Sequence, residues 1–250
     1  MKNIFIASLV ICIGFTACEK NTGYIDPSLP ALGAKVKFIN TSWNAPGVIF
    51  YGTDTLMKFS AAAAATGGLL QGTTFNQTYP SNDYALLAPY DNNLRIRVAQ
   101  NATVSPGVFF DLGKIKFEEG KNYSVFLVDS FPTVTTLVLN DDLKNFNSIG
   151  DSTYRARFVN TIFGAPAVDI FSVRENAVLA SNIPYKGYTD FKDLKVWSTA
   201  DEMQLRIAGT STILAKLAFT PKIQKTYTLF ARGRFGSTTA APSLSFYTNQ

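Results

Sequence analysis

Ala34 to Tyr51 reads AKVKFINTSWNAPGVIFY, and Tyr154 to Phe171 reads YRARFVNTIFGAPAVDIF. At a constant spacing of 120 positions, Phe38, Asn40, Thr41, Ala45, Pro46 and Val48 recur as Phe158, Asn160, Thr161, Ala165, Pro166 and Val168. Five more pairs keep their chemical type: Lys35 with Arg155, Lys37 with Arg157, Ile39 with Val159, Trp43 with Phe163 and Tyr51 with Phe171. Chance supplies about one identity in eighteen positions at ordinary composition. The two stretches are therefore copies of one unit, and a repeat has to be found before any local pattern is trusted.

The correspondence continues in order along the chain. Leu94 to Ala99 (LRIRVA) answers Met203 to Ala208 (MQLRIA), Lys121-Asn122-Tyr123-Ser124 answers Lys225-Thr226-Tyr227-Thr228, and Leu137-Val138-Leu139 is set against Leu244-Ser245-Phe246 as a closing strand. The pieces alternate as half-buried strands do: Val36 and Phe38 face one way, Lys35 and Lys37 the other, and Leu94, Ile96 and Val98 oppose Arg95 and Arg97. Tyr123 to Val128 is almost wholly apolar, which suits a central strand. Turn signals such as Asn44 to Gly47, Asp91-Asn92-Asn93, Ser105-Pro106-Gly107 and Glu119-Gly120 fall between them at sandwich spacing. The expected fold is all-β: two tandem immunoglobulin-like or transthyretin-like antiparallel β-sandwich domains of about seven strands each. The first spans residues 34–142 and the second 154–250, with residues 143–153 as linker. Copy one carries an insertion of 11 residues, placed around Ser60 to Gly68, where five alanines run into Thr66-Gly67-Gly68. A segment this short is marginal as an isolated helix and reads as a contact loop.

The N-terminus is an address. Lys2 precedes an apolar run from Ile4 to Phe15, and Phe15-Thr16-Ala17-Cys18 follows with small residues before the cysteine. That order is the grammar of a signal peptide, and the run is shorter than the roughly 20 residues of a membrane-spanning helix. The last four residues resemble the lipobox of bacterial lipoprotein precursors. The resemblance implies removal of residues 1–17 and diacylglycerol on the Cys18 thiol; Cys12 leaves with the peptide. Two or more acyl chains hold a protein stably on a bilayer, at about 0.8 kcal/mol per buried methylene. Residues 18–33, with Gly23, Pro27, Pro30 and Gly33, read as a lipidated tether, and fifteen extended residues reach about 50 Å. The expected location is the outer membrane of a Gram-negative bacterium, on its periplasmic or cell-surface side.

This pattern resembles the tandem lipoprotein family known as domain of unknown function 4397. The resemblance rests on the first strand ending in Phe-Ile-Asn or Phe-Val-Asn, the following Ala-Pro and the next strand, as in Phe38 to Val48 and Phe158 to Val168. In copy two it runs on through Ala167 to Phe171 and Leu179 to Tyr185. It implies exported sandwich domains and brings no catalytic residues.

Composition narrows the chemistry. The chain has 250 residues, 46% hydrophobic and 13% aromatic, with 20 Phe, 11 Tyr and no His. Without His there is no His-dependent triad and no His zinc site. Both cysteines lie within the first eighteen positions, so no disulfide forms in the remainder. The charge of +5 is spread without a basic run, so nucleic acid is not an expected partner. The adjacent acids are Glu118 with Glu119, Asp141 with Asp142, and Asp201 with Glu202, read as solvated turn and strand-end groups. Asn140-Asp141-Asp142 offers three oxygens, short of the 6 to 8 that calcium prefers. Asn40-Thr41 and Asn160-Thr161 are assigned to the bend before Ala-Pro, where such side chains bond backbone. Trp43, Trp197, Tyr90 and Tyr247 would stack on sugars if exposed and are expected in the core. Lys35, Lys37, Arg95 and Arg97 read as a solvated strand face able to meet acidic glycans. Asp54-Thr55-Leu56 and Asp151-Ser152-Thr153 resemble an O-glycosylation acceptor, at Thr55 and Ser152. The expected function is a lipid-anchored binding or structural module, not an enzyme, with no cofactor or metal, contacting glycan or an envelope protein. The alternatives are an accessory subunit of an outer-membrane assembly and a carboxylate-based hydrolase.

Overall fold

Phe38 and Phe158 each sit on a strand whose apolar side faces a sandwich core and whose basic side faces the other half of the molecule. In this computed structural model residues 33–52, 58–59, 72–143, 149 and 152–250 are described. Residues 1–32 with Cys18, the loop at 60–68, Asp54-Thr55-Leu56 and Asp151 lie outside them. The strands of the first half are β1 (Ala34–Asn40), β2 (Val48–Tyr51), β3 (Lys58–Phe59), β4 (Thr78–Tyr79), β5 (Ala85–Leu87), β6 (Tyr90–Val98), β7 (Phe109–Phe117), β8 (Asn122–Ser130) and β9 (Thr133–Asn140). Those of the second are β10 (Thr153–Asn160), β11 (Val168–Ser172), β12 (Ala177–Ile183), β13 (Lys192–Lys195), β14 (Asp201–Ile207), β15 (Ile213–Phe219), β16 (Thr226–Arg232) and β17 (Ser243–Thr248).

The all-β sandwich expectation holds, with more strands per half than the seven inferred by analogy. In the first half β4-β1-β8-β9, with β5 also on β1, packs against β3-β2-β6-β7. In the second, β13-β10-β16-β17 packs against β12-β11-β14-β15. All pairings are antiparallel except β1 with β8 and β10 with β16, which run parallel. The bend after β1 and β10 explains the Ala-Pro repeat. Asn44 and Gly164 take the same left-handed conformation, φ 60° and 74°, in which Asn and Gly are the least strained residues.

Three apolar layers result. Val36, Phe38, Phe50, Leu94, Ile96, Val125 and their neighbours fill the first sandwich; Ala156, Phe158, Ile170, Leu205, Phe219 and Leu229 fill the second. The third layer lies between the halves: Ile39, Phe126, Val128 and Leu139 pack on Val159, Phe230 and Tyr247. Phe126 meets its own counterpart Phe230 with ring centroids 5.8 Å apart, and Trp43 stacks on its counterpart Phe163 at 6.2 Å. Equivalent residues touching each other is the mark of a two-fold relation, here within one chain. Leu32–Gln250 is accordingly one compact unit.

The seam also corrects the repeat at its end. Val125 pairs with Val138, and its equivalent Leu229 pairs with Phe246. Leu139 thus answers Tyr247, one residue away from the match of Leu137 with Leu244. Both closing strands carry apolar residues on both faces, so side-chain alternation did not fix their register. Replacing Phe230 by Ala removes a ring from the seam and is expected to lower whole-chain stability by about 3–5 kcal/mol, measured by urea denaturation; a loss under about 1 kcal/mol contradicts a seam packed like a core.

Candidate functional site

Of the strand face expected to be solvated, one residue, Lys37, lies in the seam. Lys37 and Arg157 occupy equivalent positions on β1 and β10, and both are buried. Lys35 is exposed as expected, while Arg95 and Arg97 are half-covered on the outer sheet. The Arg157 guanidinium forms an ion pair with Asp141, and donates to the Thr228 hydroxyl at 3.0 Å and the Asn140 carbonyl at 3.1 Å. Asp141 is fully covered. It accepts from the Tyr84 phenol at 2.6 Å, the Ser124 hydroxyl at 2.7 Å and the Asn249 amide at 3.1 Å. Tyr247 donates to Ser124 at 2.7 Å, which joins the network across the halves.

Symmetry-related positions hold this cluster: Ser124 answers Thr228, and Asp141 answers Asn249. Only one half supplies the carboxylate. Lys37 turns away to the carbonyls of Pro80, Asn82 and Asp83 at 3.1, 2.8 and 2.7 Å, beneath the Tyr84 and Tyr247 rings. Asp141 and Asp201, expected to be solvated strand-end acids, are both buried. Asp201 accepts from Ser172 and from the Arg174 backbone amide. A third tie joins the halves at Asp129, which takes the Lys186 ammonium at 2.7 Å and the Tyr185 phenol at 2.9 Å. Burial opposes the charge of Asp129, but hydrogen bonds from Lys186, Thr135 and Tyr185 outweigh it and hold its pKa below the ordinary value.

Two openings flank the seam and answer one another. A small cleft of about 130 Å³ is lined by Asn140, Asp142, Arg155, Tyr188, Asp190 and Phe191, with Arg157 and Thr189. Tyr188 is 54% exposed, and the Arg155 and Arg157 guanidiniums lie over the Phe191 ring at 5.2 and 4.7 Å. Arg155 is 6% exposed; it donates to the Asp142 carbonyl at 2.6 Å, and its Nε lies 3.6 Å from Asp193 without a hydrogen-bond partner. On the other flank a wider groove of about 510 Å³ runs between Asn76, Gln77, Thr78 and Ser81 and the β17 residues Phe246 to Thr248. Thr78 pairs beside Ile39 as Tyr188 pairs beside Val159, so one position is hydroxyl in one opening and phenol in the other.

The remaining candidates have structural roles. Asn40 and Asn160 accept from the backbone two residues on and donate to the Thr73 and Ile183 carbonyls; Thr41 and Thr161 bond the Leu127 and Ala231 carbonyls. Tyr247 is core, as expected. Trp43 has Phe163 on one side and Arg234 at 4.3 Å from its ring centre, and Trp197 has the Lys195 and Arg174 cations at 4.2 and 5.8 Å. Both indoles are half-buried and lie beside cations rather than in the cores. Among the described residues no three His, Cys, Asp or Glu side chains gather as metal ligands. Ser152 lies at a turn before β10.

Loss of solvent lowers Lys37 from its ordinary 10.5 to about 8, partly offset by Asp141 and Asp83. Between about 8 and 10 the unfolded chain therefore binds the extra proton, and stability rises with pH. Below that window both states carry the proton and the full cost is present. Above about 10 the buried phenols reverse the slope: burial raises Tyr84 and Tyr247, so the unfolded chain loses those protons first. Chemical denaturation across pH 8–10 is expected to show the rise, and Lys37→Met to flatten it; an unchanged slope in that variant contradicts the assignment.

The CBMbc module (family CBM26) of Eubacterium rectale Amy13K, solved in complex with maltoheptaose, is similar over 87% of this chain and 97% of its own, at 9% identity and a TM-score of 0.26. A likeness that slight leaves the ligand to be argued from the residues themselves. No curated protein matches the chain by sequence. The family model described as domain of unknown function (DUF4397) matches residues 34–171, which takes in the first half together with β10 and β11. The chain belongs to the DUF4397 family.

Proposed function

We propose that the mature chain is a lipid-anchored, non-catalytic module of the bacterial envelope that binds a glycan in the Tyr188 cleft. The observation that carries this is the exposed Tyr188 ring beside an amide, two carboxylates and a guanidinium. An amphipathic ring offers an apolar face to a sugar. Asn140, Asp142, Asp190 and Arg155 supply the mixed donors and acceptors that hydroxyls require. The cleft is smaller than the roughly 300–1,000 Å³ of drug-sized ligand sites, which suits one sugar ring or a chain end.

A hydrolase reading has some purchase here, because Asp142 and Asp190 line the same opening. A glycosidase needs one carboxyl kept protonated by an apolar, sheltered setting. Asp142 is 88% exposed at its side chain, and Asp190 is exposed too. Binding is the better use of this pair.

The anchor rests on the sequence around Cys18, and the location we propose is the outer membrane. Glycan-array binding by residues 19–250 is expected to fall at least about tenfold, or about 1.4 kcal/mol, with Tyr188→Ala. Binding that survives this change, or silence of the unmodified protein on the array, contradicts the glycan reading. In cells, Cys18→Ser is expected to abolish incorporation of radiolabelled palmitate and to leave residues 1–17 attached; label retained by the variant overturns the anchor.

A further inference from the structure

We infer that the free edge of β17 is a docking site for an extended, uncharged peptide strand of another protein. This site is separate from the Tyr188 cleft and does not depend on it. The phase of the β16–β17 ladder fixes which backbone groups are free. Tyr227 lies opposite Thr248, and Asn249 donates to the Thr226 carbonyl at 2.8 Å. Hydrogen-bonded and non-bonded pairs alternate along an antiparallel ladder, so Asn249, Tyr247 and Ser245 direct their backbone toward β16. Leu244, Phe246 and Thr248 direct theirs away from the sheet. β17 ends the order β13-β10-β16-β17, and among the described residues no strand pairs with it on that side.

Such an edge is a template for another strand, and proteins blunt it with charge, proline or irregularity. Among the described residues several other edges carry charge or irregularity, and β9, as uncharged as β17, has a lysine laid on it. β7 carries Lys114 and Lys116, β13 carries Lys192 and Lys195, and β15 carries Lys216. β12 meets β11 with register shifts, and Lys186 reaches Thr135 on β9 at 3.2 Å. β17, SLSFYT, has neither charge nor proline. It is also the edge that opens on the 510 Å³ groove, whose far wall is Asn76, Gln77, Thr78 and Ser81. No charged group lines that groove, which selects an uncharged occupant.

The occupant's side chains have a place as well. Phe246 is 45% exposed and rests against Phe219 and Tyr227, so its ring offers an apolar seat to one residue of an added strand that faces the same side. Free backbone groups recur along β17 at every second residue, about 6.8 Å apart. A peptide matches that repeat throughout its length, and its main-chain bonds supply affinity while the seat supplies selectivity.

The test uses residues 19–250 and two capped heptapeptides of alternating threonine and valine, one of them N-methylated at alternate residues on the pairing edge. Amide exchange followed by NMR is expected to slow at Phe246 and Thr248 with the plain peptide. Affinity should fall at least tenfold for the methylated peptide and for Phe246→Lys or Thr248→Pro. Neither variant touches a backbone group that β16 uses, and an unchanged melting temperature verifies that the fold survives. Tyr188→Ala should leave peptide binding as it was, which separates this site from the glycan reading. The inference is overturned if no amide of β17 is protected up to about 1 mM peptide or if the methylated peptide binds equally. It is also overturned if a maltooligosaccharide protects the same amides in place of peptide, or if protection grows with protein concentration alone, which assigns the edge to a second copy of the chain.

Discussion

The apolar contact between β1-β8-β9 and β10-β16-β17 governs most of what is distinctive in this molecule. A sandwich ordinarily buries one face of each sheet and leaves the other to water. Here the outer faces of the two central sheets bury each other through Ile39, Phe126, Val128, Leu139, Val159, Phe230 and Tyr247. Either half taken alone presents that layer to solvent, an exposed apolar patch of the kind soluble monomers avoid. The duplication has therefore produced two sandwich cores inside one cooperative body.

Burying those faces forces a decision about the charges upon them. Lys37 and Arg157 descend from one position, yet only Arg157 has a carboxylate, because Asp141 stands in one half and Asn249 in the other. A buried ion pair contributes little net stability compared with apolar residues, but removing one partner costs several kcal/mol. Arg157 and Asp141 hold a defined register between the halves on this reading, with Thr228, Ser124, Tyr84 and Asn249 satisfying the remaining donors and acceptors. Lys37 finds three carbonyls in the segment after β4 instead, and Ser81 of that segment lines the wide groove.

Much of this was legible in the sequence. The repeat of Phe38 to Val48 and Phe158 to Val168 defined the strand order, and Asn40 and Asn160 were rightly read as bend-formers. The seam was not, although β8 carried its signal: a run buried on both faces belongs to a sheet covered on both sides. Lys37 and Arg157 concealed it, since a basic residue at alternate strand positions is the pattern of a solvated face, and only the fold shows that each is covered. The Tyr188 cleft had no sequence signature at all, because Tyr188, Asp190 and Phe191 meet Asn140 and Asp142 only when the halves pack. The β17 edge was equally silent, being defined by which strand happens to lie outermost.

The central claim is that the two halves fold as one body through the seam. The chain carries two tryptophans, Trp43 at the seam against Phe163 and Trp197 in the second half, so Trp197→Phe leaves a reporter of the seam and Trp43→Phe one of the second half. Urea unfolding of the two single-tryptophan proteins, followed by fluorescence and referred to each variant's far-ultraviolet dichroism, decides the matter. Coincident fluorescence and dichroism transitions in both proteins are the predicted result. A half that unfolds at its own lower denaturant concentration, while the other keeps its dichroism, contradicts the account.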